Sequence, residues 1–575
     1  MKQLFRFLKN YKKECILAPL FKLFEATLEL FVPLVMAAII DRGIDGADTG
    51  FIGWMGAILV LLAAVGLTAS LVAQFFAAKA AVGFATALRS ELFRHIQSLS
   101  FGDVDQVGTS TLITRMTSDT NQLQSAVNMA LRLFLRSPFV VLGAMIMAFT
   151  IDVKAALIFV IAIPLLSVVI FGVMVVSIPM YRRVQEALDR LLCRTRENLS
   201  GARVQRAFNK QKEETEKFEK ENQFLNSLQM VVGRIAALTN PLTYIIINAA
   251  VIALIWVGAL RVDGGFITQG QVVALVNYTA QILVELVKLA NTIVLVNKAI
   301  ACGNRVQEVF DREPGLESPA SACPADKNTE DIVVFDHVGL MYPGSQAESL
   351  TNIHFTVKRG ETVGIIGGTG SGKTSLVHLL PRFYDITSGS LKINGVEAAR
   401  QPLAELRAHV GIVLQKSVLF EGTIRSNLSW GKKDATEEEM WRALRIAQAE
   451  EVVKGKPGGL DADVEQGGRN FSGGQKQRLA IARALVREPE ILILDDSASA
   501  LDYATDAALR GAIREELKDM TLFIVSQRAA SVRNADKIVV LDDGEIVGMG
   551  THDDLMDSCE VYQEIYESQY GKGAR

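Results

Sequence analysis

The chain has 575 residues, 49% of them hydrophobic, with a mean hydropathy of +0.24 and a formal net charge of −3. The hydropathy is high for a soluble protein and is concentrated before about residue 300, while the charge gives no bulk argument for nucleic-acid binding. The five cysteines (Cys15, Cys193, Cys302, Cys323, Cys559) are scattered without metal-ligand spacing, which excludes a disulfide framework and fits a reducing cytosol.

Residues 1–13 carry Lys2, Arg6, Lys9, Lys12 and Lys13 among Leu4, Phe5, Phe7 and Leu8. This pattern predicts a short amphipathic helix on the inner membrane surface, with the N-terminus in the cytosol. The apolar run that follows is too long for a signal-peptide core and has no clear cleavage site. Stretches long enough to cross a bilayer lie at 16–40, 54–78, 127–150, 155–180, 238–260 and 267–290. Six spans return the C-terminal region to the cytosol. The odd-numbered connections are short and poor in cations. The even-numbered ones are long and basic, in agreement with that orientation.

Several ionisable residues fall inside the spans. Glu25 and Glu29 are four apart and share a helix face. They are candidates for a cation-attracting path, or for pairing with another span through Lys79 or Lys288. Asp41, at the outer end of the first span, reads as a solvated helix end or part of an external gate. Glu285 and Lys288 are expected to pair with each other.

The long connections keep helical apolar spacing over 84–99 and 182–224, so the spans should continue as stalks. About 25 extra residues reach roughly 37 Å. Short amphipathic stretches at 110–119 and 196–208 are candidates for the stalk tips that touch the domain that follows the spans. Residues 313–331 are rich in Pro, Ser, Asp and Ala without periodicity and read as a linker. From residue 332 onward, β-like and helical runs alternate, as in a nucleotide-binding α/β domain.

Within that domain, Gly367-Gly368-Thr369-Gly370-Ser371-Gly372-Lys373-Thr374 fits G-x-x-x-x-G-K-[ST]. It follows an apolar strand-like run and precedes a helical one that begins with Ser375. The glycines let backbone N–H groups turn around phosphate oxygens, and the helix N-terminus adds partial positive charge. Lys373 would reach the β- and γ-phosphates of ATP, and Thr374 would ligate Mg²⁺. Downstream, Ser472 is a good N-cap, and Gly473 and Gly474 permit close backbone approach, so Ser472-Gly473-Gly474-Gln475 opens a second helix suited to an anion.

The two motifs together are specific. The chain resembles one half of an ATP-binding cassette (ABC) exporter over essentially its full length. The implied architecture is a multi-domain membrane protein. A six-helix transmembrane domain (1–312) is joined by a linker (313–331) to an α/β P-loop cassette (332–575). The resemblance implies that Tyr342 stacks on adenine and that Gln415 touches Mg²⁺ or the attacking water. It also implies that Asp495 holds Mg²⁺ through water. Ser472–Gln475 would complete the ATP site of a facing cassette, and the segment from Ser499 to Asp502 would touch that partner. Two positions depart from the family pattern. Asp496 stands where a catalytic glutamate is expected, and Gln527 where a switch histidine is expected. Aspartate is shorter by roughly 1.5 Å of reach, and glutamine cannot become cationic.

These departures imply a site that binds MgATP and hydrolyses it slowly. The elements offered to a partner are intact. The resemblance therefore points to the degenerate-site subunit of a heterodimeric multidrug exporter in the cytoplasmic membrane. Such a subunit carries a small amphipathic solute, meets membrane lipid and a second half-transporter, and binds no nucleic acid. A lipid or peptide exporter of the same architecture and a non-transporting ATP-gated regulator are the rival readings.

Overall fold

A computed structural model describes residues 2–316, 318–319, 329–497 and 501–571. The chain divides into two units. One comprises Met1–Gln97 with Ser110–Asp311, the other Ser98–Thr109 with Arg312–Arg575. Most of the linker expected at 313–331 lies outside the described residues.

Among the described residues, six helices are long and apolar enough to cross a membrane. They are Gln3–Ile44, Thr49–Ser98, Thr109–Ile151, Val153–Ser200, Gln211–Asp263 and Gln269–Phe310. The helical stalks expected over 84–99 and 182–224 are present as continuations of the second, fourth and fifth helices, with turns at 201 and 208–210. The second span buries Ala69, Ala73, Ala77, Ala80 and Ala81 but turns Val60, Leu67, Leu71 and Phe75 outward. A surface of that kind suits lipid, which also forces all backbone polar groups into helices.

The charged residues inside the spans find partners that differ from the expected ones. Glu25 pairs with Lys22 at 2.5 Å, and Glu29 with Arg136 at 2.5 Å. Lys79 instead meets Glu14 at 2.9 Å. Glu285 does pair with Lys288, at 2.9 Å, and is also bound by Arg136 and by the Ser137 hydroxyl. Asp41 is not merely solvated. Its carboxylate accepts from the Gly270 N–H at 2.8 Å and from the Thr268 hydroxyl, tying the end of the first span to the start of the sixth. A carboxylate at a helix N-terminus satisfies orphan amides there.

The stretch 110–119 packs within the first unit, where the buried Asp119 accepts from Arg115 and Arg305. The stretch 196–208 also belongs to the first unit and turns at Gly201. The segment grouped with the cassette is Ser98–Thr109, just before the first of these stretches. Its short helix Phe101–Val107 is capped by Ser100. Phe101 stacks on Phe383 with ring centroids 4.4 Å apart, and the Tyr384 hydroxyl donates to Asp105 at 2.8 Å.

The second unit is built on two main sheets. An antiparallel sheet has the order β2-β1-β4-β5, formed by β1 (Asp331–Leu340), β2 (Leu350–Lys358), β4 (Ser388–Ile393) and β5 (Val396–Glu397). A six-stranded sheet has the order β12-β11-β3-β10-β9-β6. Its strands are β3 (Thr362–Gly367), β6 (Val410–Val413), β9 (Ile491–Asp495), β10 (Thr521–Val525), β11 (Lys537–Asp542) and β12 (Glu545–Gly550). A two-residue ladder joins β7 (Gly422–Thr423) to β8 (Asp463–Val464). Strands β9 and β10 are buried at every position, as continuous apolar runs in a covered parallel sheet should be. β3 lies between β10 and β11, parallel to both. The carboxyl ends of these parallel strands therefore converge, which is where such sheets bind ligands.

Candidate functional site

A cavity of about 400 Å³ opens at those strand ends. The loop after β3 forms one wall. Gly370 and Gly372 have φ of 88° and 94°, so the turn requires residues without a β-carbon. A β-carbon added at Gly368 or Gly370 would meet no neighbouring atom within 4 Å, which leaves the loop backbone open to a ligand. The helix Lys373–His378 starts from this loop. Lys373 folds back on the loop, donating to the carbonyls of Gly367 (3.0 Å) and Gly368 and to the Ser371 hydroxyl (3.3 Å). Burial pulls its ammonium below the ordinary lysine value, against the opposing charges of Asp496 and Asp495.

The end of β9 supplies the opposite wall. Asp495 is 1% exposed and accepts from the Thr374 hydroxyl at 3.0 Å. Burial pushes its carboxyl above the usual carboxylate range. The Thr374 hydrogen bond opposes this shift, and the Asp496 charge adds to it. A buried ammonium and a buried carboxylate, each disfavoured in its charged form, are what a polyphosphate with a divalent cation would relieve. The hydroxyl and carboxylate oxygens suit a hard cation such as Mg²⁺. The residues present thus fit MgATP. Acidification from neutral to a mildly acidic pH is expected to protonate Asp495 before ordinary carboxylates, weakening the Mg²⁺ dependence of ATP binding. Asp495→Asn is expected to abolish that dependence throughout. Titration of a fluorescent ATP analogue with and without Mg²⁺ at both pH values checks this.

Gln415 and Asp496 come together, the amide donating to the carboxylate at 3.2 Å. Asp496 has φ of 45°, unusual for a non-glycine residue, and its N–H is held by the Val525 carbonyl at 2.9 Å. Gln527 also lines the cavity, just beyond β10, and its carbonyl accepts from Gln569 at 2.7 Å. Thr369, Ser375, Gln415, Asp495, Asp496 and Gln527 are therefore gathered in one space with the loop.

Tyr342 is not among the lining residues. Its hydroxyl donates to Ser375 at 2.9 Å, and its ring meets the edge of Tyr384 with centroids 4.9 Å apart. Nor do Ser472, Gly473, Gly474 and Gln475 line this cavity. Ser472 caps the helix Gly473–Leu485 through a reciprocal pair. It accepts from the Gln475 N–H at 3.3 Å, and the Gln475 side chain accepts from the Ser472 N–H at 3.0 Å. A β-carbon at Gly473 would also meet only open space. Asp502 caps the helix Tyr503–Glu516, while Ser499 and Ala500 lie outside the described residues.

The sequence reading passed over His378. The imidazole Nε2 is 3.8 Å from an Asp495 oxygen, and burial lowers its basicity. The ring packs against Phe383 and Tyr384, the residues that contact the helix Phe101–Val107. A lone histidine inside an apolar helical run carries no local signal. The spacing of five residues from Lys373 gains meaning only once β9 is placed beside it.

Comparisons with known proteins agree with this geometry. Residues 15–286 match the ABC transporter transmembrane region, and residues 350–499 match the ABC transporter family. An uncharacterized ABC transporter ATP-binding protein of Mycobacterium tuberculosis is 35% identical over 565 residues, covering 98% of this chain and 97% of that protein. The Bacillus subtilis ABC transporter ATP-binding protein YfiB is 34% identical over 572 residues, 100% and 99% of the two chains. YheI of the same organism, named as a probable multidrug resistance ABC transporter ATP-binding/permease protein, is 32% identical over 578 residues, 99% and 97%. With phosphate loop, buried aspartate and six apolar helices in one polypeptide, and relatives matched end to end, the chain belongs to the ABC transporter family, as a transmembrane region fused to its ATP-binding cassette.

Proposed function

We propose that the chain is one half of a heterodimeric exporter that moves an amphipathic, drug- or lipid-like solute across the cytoplasmic membrane. The N-terminus and the cassette lie on the cytosolic side. Its own cavity binds MgATP and turns it over slowly. Its Ser472–Gln475 helix start completes a faster site on the partner, which supplies the glutamate and histidine that this chain lacks. The observation that carries this reading is the pairing of opposites. The cavity has its loop, Lys373, Thr374 and Asp495 in place but presents Asp496 and Gln527 for catalysis. The capped helix at Ser472 is intact yet does not line that cavity. The solute class rests on the family resemblance and on the multidrug name carried by YheI.

ATP binding would draw the two cassettes together and switch the spans between inward- and outward-facing states, a rigid-body change. Hydrolysis at the partner's site would reset them. Asp496 would hold Gln415 rather than activate water efficiently.

The test uses the co-purified pair. Replacing the partner's catalytic glutamate by glutamine is expected to remove nearly all ATPase activity and solute uptake into inverted vesicles, while ATP remains bound on this chain. Full activity in that variant overturns the proposal. So does a purified homodimer of this chain with a typical enzyme turnover of about 10 s⁻¹.

A further inference from the structure

Strand β1 contains one residue more than its neighbours need. Phe335 pairs with Phe355 and Val338 with Ile353 across β2, so two residues of β1, Asp336 and His337, face a single residue of β2, His354. The same irregularity interrupts the ladder to β4. A bulge of this kind breaks the alternation of faces and re-aims side chains. The effect is visible in burial: Asp336 and His337 are consecutive and both exposed, and they share their face with His354. In a regular strand one of the two would point into the core.

The three side chains form a ligand set. One donor atom from each lies within 4.8 Å of the others. An Asp336 oxygen is 3.3 Å from His354 Nδ1 and 3.9 Å from His337 Nε2. Donors about 2.0–2.2 Å from a tetrahedral zinc ion stand roughly 3.3–3.6 Å apart, so only small side-chain shifts separate this arrangement from a coordinating one. The two imidazoles are already stacked, with centroids 4.9 Å apart and 24° between planes.

A further contact orients the first ligand. His337 Nδ1 is 2.5 Å from the Asn352 side-chain oxygen. An amide oxygen only accepts, so Nδ1 is the donor in this contact, which leaves Nε2, on the side of Asp336, as the nitrogen placed to bind a metal ion. Metal-binding histidines are commonly fixed in this way by a partner on the other ring nitrogen. His337 and Asn352 both have left-handed backbones, with φ of 50° and 51°, so each side chain leaves its strand in a direction set by an unusual conformation.

We propose that Asp336, His337 and His354 bind a borderline divalent transition-metal ion of the zinc class on the antiparallel sheet of the cassette, with water completing the coordination. Two imidazoles and one carboxylate favour such ions over Mg²⁺ and Ca²⁺, which prefer all-oxygen ligands. The ion would fasten β1 to β2 at the point where the bulge interrupts their ladder. None of its ligands lines the nucleotide cavity.

The test uses the full-length chain in lipid nanodiscs, free of any histidine tag and stripped with a chelator. Millimolar MgATP is present so that the nucleotide site is filled. Calorimetric titration with ZnCl₂ is expected to show one ion bound per chain in a step that Mg²⁺ does not suppress. His354→Ser and His337→Asn are each expected to weaken that step at least about tenfold, and Asn352→Gly by about tenfold. Asparagine and glycine both tolerate the left-handed backbone at those positions. Zinc should also raise the unfolding temperature of the wild-type cassette and leave that of His354→Ser unchanged. Retained ATP binding shows that each variant is folded. Absence of the step in the wild type, or its survival in both histidine variants, overturns the site.

Discussion

Replacing Arg136 by methionine is expected to destabilise the transmembrane unit by about 3–5 kcal/mol. Arg136 is 6% exposed and sits between two carboxylates, Glu29 and Glu285. Glu285 is itself buried and also receives Lys288 and Ser137. The network therefore holds two acids and two bases. Deleting the guanidinium leaves the half-exposed Glu29 without its partner and the buried Glu285 with only the Ser137 hydroxyl and Lys288, whose side chain is 43% exposed. Removing one member of a buried pair is costly because the other charge remains where water cannot reach it. Arg136→Lys should recover only part of the loss. An ammonium presents a point charge, whereas this guanidinium bridges Glu285 and Glu29 through two different nitrogens. Adding Glu29→Gln to Arg136→Met should also restore part of it. Thermal unfolding in nanodiscs across the four proteins checks the order, and equal melting temperatures for wild type and Arg136→Met would refute the account.

Asp496→Glu combined with Gln527→His is expected to raise hydrolysis at this chain's own site by about 10²-fold, since a misplacement of about 1 Å at the reacting centre costs about that much. The longer carboxylate extends from a backbone already fixed by the Val525 carbonyl and reaches further into the cavity. The imidazole supplies a cation where glutamine offers only an uncharged amide. Asp496→Glu alone should give most of the gain, because it changes reach, and Gln527→His alone little. Single-turnover ATP hydrolysis isolates the effect, measured in a pair whose partner lacks its catalytic glutamate. A double variant that stays at the wild-type rate shows that Asp496 and Gln527 do not limit this site.

Much of the site was legible before the fold, because its parts are local. Strand, glycine loop and helix are contiguous from Thr362 to His378, and backbone conformation there follows from residue type. Asp495 is marked by the apolar run that precedes it, and Ser472 by its place before a helical run. The spans were equally legible, since a bilayer requires only length and hydropathy. The grouping of 98–109 with the cassette was not legible, because it depends on Phe101 finding Phe383 and Asp105 finding Tyr384. Those partners are more than 270 residues away in sequence.

What the sequence by itself determined was everything governed by near neighbours: six apolar helices, the phosphate loop, the parallel strands and the placing of Asp496 and Gln527 just beyond two of them. The tertiary structure alone decided the pairings. Glu29 meets Arg136 rather than Lys79 or Lys288, Asp41 holds the start of the sixth span, His378 stands beside Asp495, and a bulge turns Asp336 and His337 toward His354. The physical reason is range. Helical periodicity and turn chemistry act over a few residues, so they can be read along the chain. The choice of an ionic or metal-binding partner depends on which faces the packed helices and strand registers bring within a few ångströms, and that is fixed only when the whole unit has folded.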